Sequence, residues 1–190
     1  MIYPNWFYNN IPIFNEFLNK YTGMPNIKFL QIGAYTGDAS LWLLDNILTD
    51  KSSTLVDVDT WAGSEELIHK KFDWNDVEDV YNKKLSSYTN VIKYKGTSLD
   101  YLYASSEMFD FIYIDGDHTS QGVYSDASLA YPLLKDNGIM AFDDYLWRHH
   151  TNSPELEPKG GIDLFLKSID GQFIMLKKEY QVWIQKCLIK

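Results

Sequence analysis

The sequence predicts an α/β fold, a doubly wound and mostly parallel sheet with helices on both faces. Three observations carry that prediction. Strand-like and helix-like segments alternate along most of the chain. Two apolar, β-rich runs, 109–114 and 138–142, end abruptly in carboxylates, Asp115 after the first and Asp143 and Asp144 after the second. Buried parallel strands expose functional groups only at their carboxyl ends in this way. Near the C-terminus, 172–176 and 180–187 read as strands joined by a link too short for a parallel crossover, so they pair antiparallel.

The elements follow in order. Ile13, Phe14, Phe17 and Leu18 recur at helical spacing, and Pro12 suits a first turn, so 11–21 reads as a helix within an N-terminal helical segment, 1–24. A strand over 27–32 leads through Gly33-Ala34-Tyr35-Thr36-Gly37 into an amphipathic helix ending near Leu48. Strands follow at 54–59 and 91–95, with a charged helix over 75–87 between them and a short helix after Ser98. A helix over 121–134 separates the two carboxylate-tipped strands, and 161–168 is the last helix. No repeat or long linker interrupts the chain, and 190 residues fit one domain, 1–190, with a substantial core.

Composition narrows the function. A net charge of −9 with no lysine or arginine run argues against a protein that holds nucleic acid by general phosphate attraction. Aromatics make up 16 % of the chain, enough to fill a core and also to line a pocket for a flat or sugar-like ligand. The lone cysteine, Cys187, forms no intrachain disulfide and lies in an apolar run that predicts burial. No signal peptide or membrane-length apolar run is visible, which predicts a cytosolic protein. His69 reads as solvent-exposed.

Ligands of open α/β sheets bind at the carboxyl edge, where Asp115, Asp143 and Asp144 converge. Two like charges about 4 Å apart repel by roughly 4 kcal/mol at an effective dielectric of ~20, so one carboxylate is protonated or a cation sits among them. Three hard oxygen donors without a nearby cysteine favour Mg²⁺, Mn²⁺ or Ca²⁺ over zinc. The plainer alternative makes Asp115-Gly116 a turn and Asp143-Asp144 a cap. Between the first strand and the first long helix, Gly33 and Gly37 permit close backbone approach and positive φ, but they lack the third glycine of a dinucleotide fingerprint. Asp59, ending its strand, suits a ribose diol, with Asp57 a secondary candidate.

The order of 29–37, then Val58-Asp59-Thr60-Trp61, then Gly96-Thr97-Ser98, resembles class I S-adenosylmethionine-dependent methyltransferases. With Ile114-Asp115-Gly116-Asp117-His118 and Phe142-Asp143-Asp144-Tyr145, it looks like their metal-dependent small-molecule O-methyltransferase branch, which includes catechol and macrocin O-methyltransferase-like enzymes. The resemblance runs from about residue 27 to 187 and implies a Rossmann-like sheet of seven strands. It also implies roles. Gln31, Gly33, Thr36, Gly37 and Ser40 would surround the methionine part of the cofactor, Asp59 its ribose, Thr60 and Trp61 its adenosine, and Ser98 the adenine edge. Asp115, Asp143 and Asp144 would hold Mg²⁺ or Mn²⁺, with Asp115 also beside the cofactor. His118 falls where catechol-type enzymes place a lysine base; its alternative is a structural bond within the turn. Two departures stand out: Gln31 replaces an acid, and Asp144 replaces an asparagine.

The loop over 144–161, with its aromatics, Arg148, His149 and His150, is the expected acceptor lid, and 62–74 the opposite wall. The acceptor expected is a small-molecule or sugar hydroxyl, with neither nucleic acid nor membrane as partner and homo-oligomerisation left open. A nicotinamide-dependent oxidoreductase and a catalytically degenerate cofactor-binding module are the competing readings.

Overall fold

The computed structural model describes residues 3–64 and 66–188. Seven strands form one sheet: β1 (Lys28–Ile32), β2 (Thr54–Asp59), β3 (Val91–Lys95), β4 (Phe109–Ile114), β5 (Leu134–Phe142), β6 (Phe173–Lys178) and β7 (Val182–Lys186). Their order is β3-β2-β1-β4-β5-β7-β6, with β1 to β5 mutually parallel and β7 antiparallel to both neighbours. The expected architecture is therefore present. No helix among the described residues is long and apolar enough to cross a membrane.

Each sheet face has its own core. Period-two alternation sends Phe111 and Tyr113 of β4 to one side and Ile112 and Ile114 to the other. On the first side lie α1 (Ile11–Leu18), α2 (Asp38–Asn46) and α3 (Trp74–Leu85). There Phe14 of α1 sets its ring edge-on to Phe111, Tyr113 and Trp183, at centroid distances of 5.9, 5.0 and 5.0 Å. On the second side α4 (Ser98–Ala104), α5 (Ser120–Ala130) and α6 (Pro158–Ser168) bury Leu102, Val123, Ala127, Ile162 and Phe165. Asp73, Thr97 and Thr119 cap α3, α4 and α5 through side-chain oxygens that accept backbone N–H groups.

Three boundaries differ from expectation. Helix α5 stops at Ala130 because Pro132 follows, and a proline lacks the N–H an α-helix needs; a 3₁₀ turn over Tyr131–Leu133 leads straight into β5 at Leu134. Helix α6 begins at Pro158, so Gly160 and Gly161 are its first turn rather than loop. A Cβ on Gly161 would lie 2.0 Å from the Ser120 carbonyl oxygen, so glycine lets α6 pack closely on α5. Cys187 follows the end of β7 and is only half-buried.

Asp57 is fully buried within β2 and accepts the Tyr81 hydroxyl at 2.8 Å, away from any ligand surface. Burial pushes its carboxyl up from 3.8 to about 7. Between about pH 4 and 7 the unfolded chain has released this proton and the folded one has kept it, so stability falls as pH rises through that window. Asp57→Asn removes the penalty, and its amide has the Ser40 hydroxyl to donate to. The variant is expected to be more stable than the parent at pH 8 by about 2–4 kcal/mol, with little difference near pH 4, in denaturant titrations at both pH values.

Candidate active site

The carboxyl ends of β1 to β5 open onto a cleft of about 1320 Å³. Gly33, at the tip of β1, has φ +88°, and a Cβ there would lie 1.8 Å from the Asp115 carbonyl oxygen. Only glycine lets the β1 and β4 tips meet this closely. At the tip of β2, Asp59 accepts the N–H groups of Ala34 (2.8 Å), Tyr35 (2.9 Å) and Trp61 (2.7 Å), so one carboxylate fixes the loop after β1 to the loop after β2. Gly33, Asp59, Thr60, Ser98 and Asp115 all line the cleft, as the sequence leads one to expect.

Five expected cofactor contacts stand behind this wall. Gln31 is buried and donates to the Gly33 carbonyl at 2.9 Å, leaving its Oε1 buried without a partner. Thr36 is buried and donates to Asp38, and Gly37, at φ +76°, packs against the Tyr81 ring. Ser40 is fully buried beside Asp57. Trp61 is buried against Tyr81, with its indole N–H on the Tyr35 carbonyl at 2.9 Å and Lys93 over its ring. These residues shape the loop rather than line the cleft.

The acidic cluster is also reordered. Asp143 is saturated by donors: Asn10 (2.9 Å), the Tyr113 hydroxyl, Gln181 (3.0 Å) and the Asp144 N–H (2.8 Å). With both oxygens engaged it braces the β5 tip, and His118 takes the third place instead. The ligand atoms of Asp115, His118 and Asp144 lie within 4.8 Å of one another. His118 Nε2 is 3.6 Å from Asp115 Oδ1 and 3.3 Å from Asp144 Oδ2, while Nδ1 faces Glu66 Oε1 at 3.0 Å. Asp144 holds its place at φ +56°, an uncommon backbone region for a residue other than glycine.

Electrostatics follow from this crowding. Burial, then the charge of Asp143, raises Asp115 well above the ordinary carboxylate range and Asp144 to about 6. Burial pulls His118 down, but hydrogen bonds to Asp115 and Glu66 outweigh it and hold the imidazole well above 6.5. With Nδ1 facing the Glu66 carboxylate, where a proton is favoured, a neutral ring would turn its Nε2 lone pair toward two carboxylates. A positive charge therefore belongs among Asp115, His118 and Asp144: either the imidazolium proton or a cation. The two carboxylates suit Mn²⁺ or Mg²⁺, with the His118 imidazole beside them and Glu66 facing its far nitrogen.

Some site residues gave no sequence signal. Glu66 lies in an irregular loop, and Asp126, inside α5, accepts the Ser98 hydroxyl at the cleft's other end. Burial raises Asp126 to about 6. His69, expected in solvent, is half-buried, 2.7 Å from the Ser64 hydroxyl and edge-on to Trp74. Of the lid, Trp147, His149 and Leu156 line the cleft, while Arg148 pairs with Glu157 at 2.7 Å outside it. From the wall opposite come Gly63, Ser64, Glu66, Ile68, His69 and Trp74.

A parallel sheet with one reversed strand, and a glycine-floored cleft beside an acidic tip, define a class I methyltransferase domain. The chain belongs to a family described as methyltransferase domain, whose profile matches residues 30–145. It is 27 % identical over 157 residues to the probable caffeoyl-CoA O-methyltransferase 3 of Dictyostelium discoideum, covering 80 % of this chain and 59 % of that one. The chain spans less than two thirds of the length of the curated relatives it matches, 59 % and 57 %. In fold it is similar to the O-methyltransferase NovP (TM-score 0.66, 17 % identity, 85 % of this chain and 72 % of that one). It is likewise similar to an O-methyltransferase of Bacillus cereus solved with S-adenosylhomocysteine (TM-score 0.61, 18 % identity, 84 % and 73 %).

Proposed function

We propose that this chain is an S-adenosylmethionine-dependent O-methyltransferase, assisted by Mg²⁺ or Mn²⁺, acting on a hydroxyl of a small molecule or sugar. One observation carries the reading: the Asp115–His118–Asp144 cluster opens into the same cleft as Gly33 and Asp59. Family membership and the O-methyltransferase relatives support it; the absent third glycine and the clustered acids disfavour a nicotinamide enzyme.

Gly33, Asp59, Thr60 and Ser98 would hold the cofactor, and Asp115 and Asp144 the cation. When bound, these groups supply an electrophilic methyl and a Lewis acid that lowers the pKa of a hydroxyl. The protein's own part is mainly alignment, for which orienting two reactants is worth roughly 7–11 kcal/mol. Glu66 holds His118 by Nδ1, leaving Nε2 to take the acceptor proton. Asp143, fixed by its four donors, keeps Asp144 aimed at the same point.

The test is transfer of labelled methyl from S-adenosylmethionine to a panel of hydroxyl compounds, with and without a chelator. Transfer that the chelator removes and Mg²⁺ or Mn²⁺ restores is expected. Cofactor binding with no transfer to any hydroxyl contradicts the enzyme reading, and transfer indifferent to the chelator contradicts the cation.

Asp59→Ala is expected to weaken S-adenosylmethionine binding by about 1.5–3 kcal/mol, the scale of hydrogen bonds to a charged group. Part of that loss arises because three loop N–H groups lose their acceptor. Calorimetry reads it directly, and an unchanged dissociation constant removes Asp59 from the cofactor site.

A further inference from the structure

Among the described residues, the cleft is lined by seven carboxylates and by no lysine or arginine. A divalent cation and a singly positive cofactor would offset three of those charges and leave the cleft negative. No lysine or arginine answers a phosphate, and the two helix N-termini that reach the cleft are already capped, that of α4 by Thr97 and that of α5 by Thr119 with the Asp117 carboxylate beside it. The apolar part of the lining mixes aliphatic side chains with aromatic ones, among them two tryptophans, Trp6 and Trp147. Trp6 stacks on Tyr35 at 4.6 Å and 25° while 47 % of its surface stays exposed. Trp147 packs 5.3 Å from the His118 ring.

We infer that the acceptor is a phosphate-free hydroxy compound, uncharged or amine-bearing, with a flat face that rests on Trp6 or Trp147. This deepens the O-methyltransferase reading and rests on it. The physical ground is that an anionic acceptor meets the repulsion of seven carboxylates with no lysine or arginine to relieve it. A neutral ring is spared that repulsion and has the indole faces of Trp6 and Trp147 to rest on, and an ammonium is attracted to the carboxylates and to those faces. Acyl-CoA thioesters and RNA, each bringing several phosphate charges, are on this reading weaker ligands than a neutral or amine-bearing compound.

The experiment measures binding to the S-adenosylhomocysteine-loaded, Mg²⁺-supplemented protein by calorimetry. The probes are a dihydroxyphenyl compound with a neutral side chain, one with an amine side chain, one with a phosphate side chain, and an acyl-CoA thioester. The neutral and amine probes are expected to bind at least ~10-fold more tightly than both anions, with the amine probe weakening as salt is raised. Trp6→Ala is expected to lose roughly tenfold in affinity for the neutral probe and keep S-adenosylhomocysteine affinity. Ile68→Lys, which places an ammonium on the cleft wall, is expected to narrow the gap between neutral and anionic probes. Equal or tighter binding of an anionic probe to the parent overturns the inference, and so does failure of every probe to bind. Methyl transfer is measured on the same samples with S-adenosylmethionine. Binding without transfer contradicts the O-methyltransferase reading alone and leaves the charge preference standing.

Discussion

Asp115→Ala is expected to lower methyl transfer by about 10²–10³-fold, the scale of removing one preorganised electrostatic group from a reaction centre. S-adenosylmethionine affinity should change no more than a few-fold. The reasoning rests on what Asp115 does with each part of itself. Its backbone N–H donates to the Ile32 carbonyl at 2.8 Å and its own carbonyl meets Gly33, and both contacts survive truncation. Only the carboxylate that faces His118 and, beyond it, Asp144 is lost. Removing one of two crowded carboxylates also relieves repulsion, so thermal stability should hold or rise even as activity falls. Kinetics, calorimetry and a melting curve on one variant check all three expectations. A large loss of cofactor affinity would contradict the separation of cofactor and cation roles.

Gly33→Ala is expected to destabilise the fold by about 3–5 kcal/mol, combining a non-glycine residue at positive φ with a backbone clash. For a chain of this length that is a fall in melting temperature of roughly 6–20 °C. The new methyl would sit 1.8 Å from the Asp115 carbonyl oxygen, and backbone gives way less readily than a flexible side chain. If the variant folds, the β1 and β4 tips must separate, so cofactor affinity and cation affinity should fall together. Gly37→Ala makes a useful contrast, because its Cβ would meet the Tyr81 ring at 2.9 Å, a side chain that can shift. Its effect should be smaller and confined to stability and cofactor binding. Differential scanning calorimetry ranks the two, and the opposite ranking would contradict the close-approach argument.

The sheet was legible because its signals are local. Apolar β-rich runs ending in Asp59, Asp115 and Asp143 mark strand ends wherever they occur. The short link between β6 and β7 likewise dictated their antiparallel pairing. Which carboxylate stays free was not legible. Asp143 and Asp144 are adjacent and chemically alike, yet Asp143 is claimed by Asn10 and Gln181, 133 and 38 positions away. No spacing rule finds such partners. The same holds for Glu66, whose place against His118 depends on an irregular loop folding over the cleft. The burial of Ser40 was not legible for a simpler reason: its helical position turns it inward to Asp57, which three-residue motifs do not reveal. Pro132 and Pro158 did carry boundary information that hydrophobic periodicity alone overran.

Asp115 and Asp144 are expected to share a divalent cation beside a cleft that holds a methyl donor. A crystal structure of the protein with S-adenosylhomocysteine and Mn²⁺, recorded with anomalous data, tests it most directly. An anomalous peak is expected between the Asp115 and Asp144 carboxylates, with His118 adjoining it and the nucleoside lying along Gly33, Asp59 and Ser98. A cleft holding the nucleoside while the carboxylates close on His118 with no anomalous peak between them would contradict it.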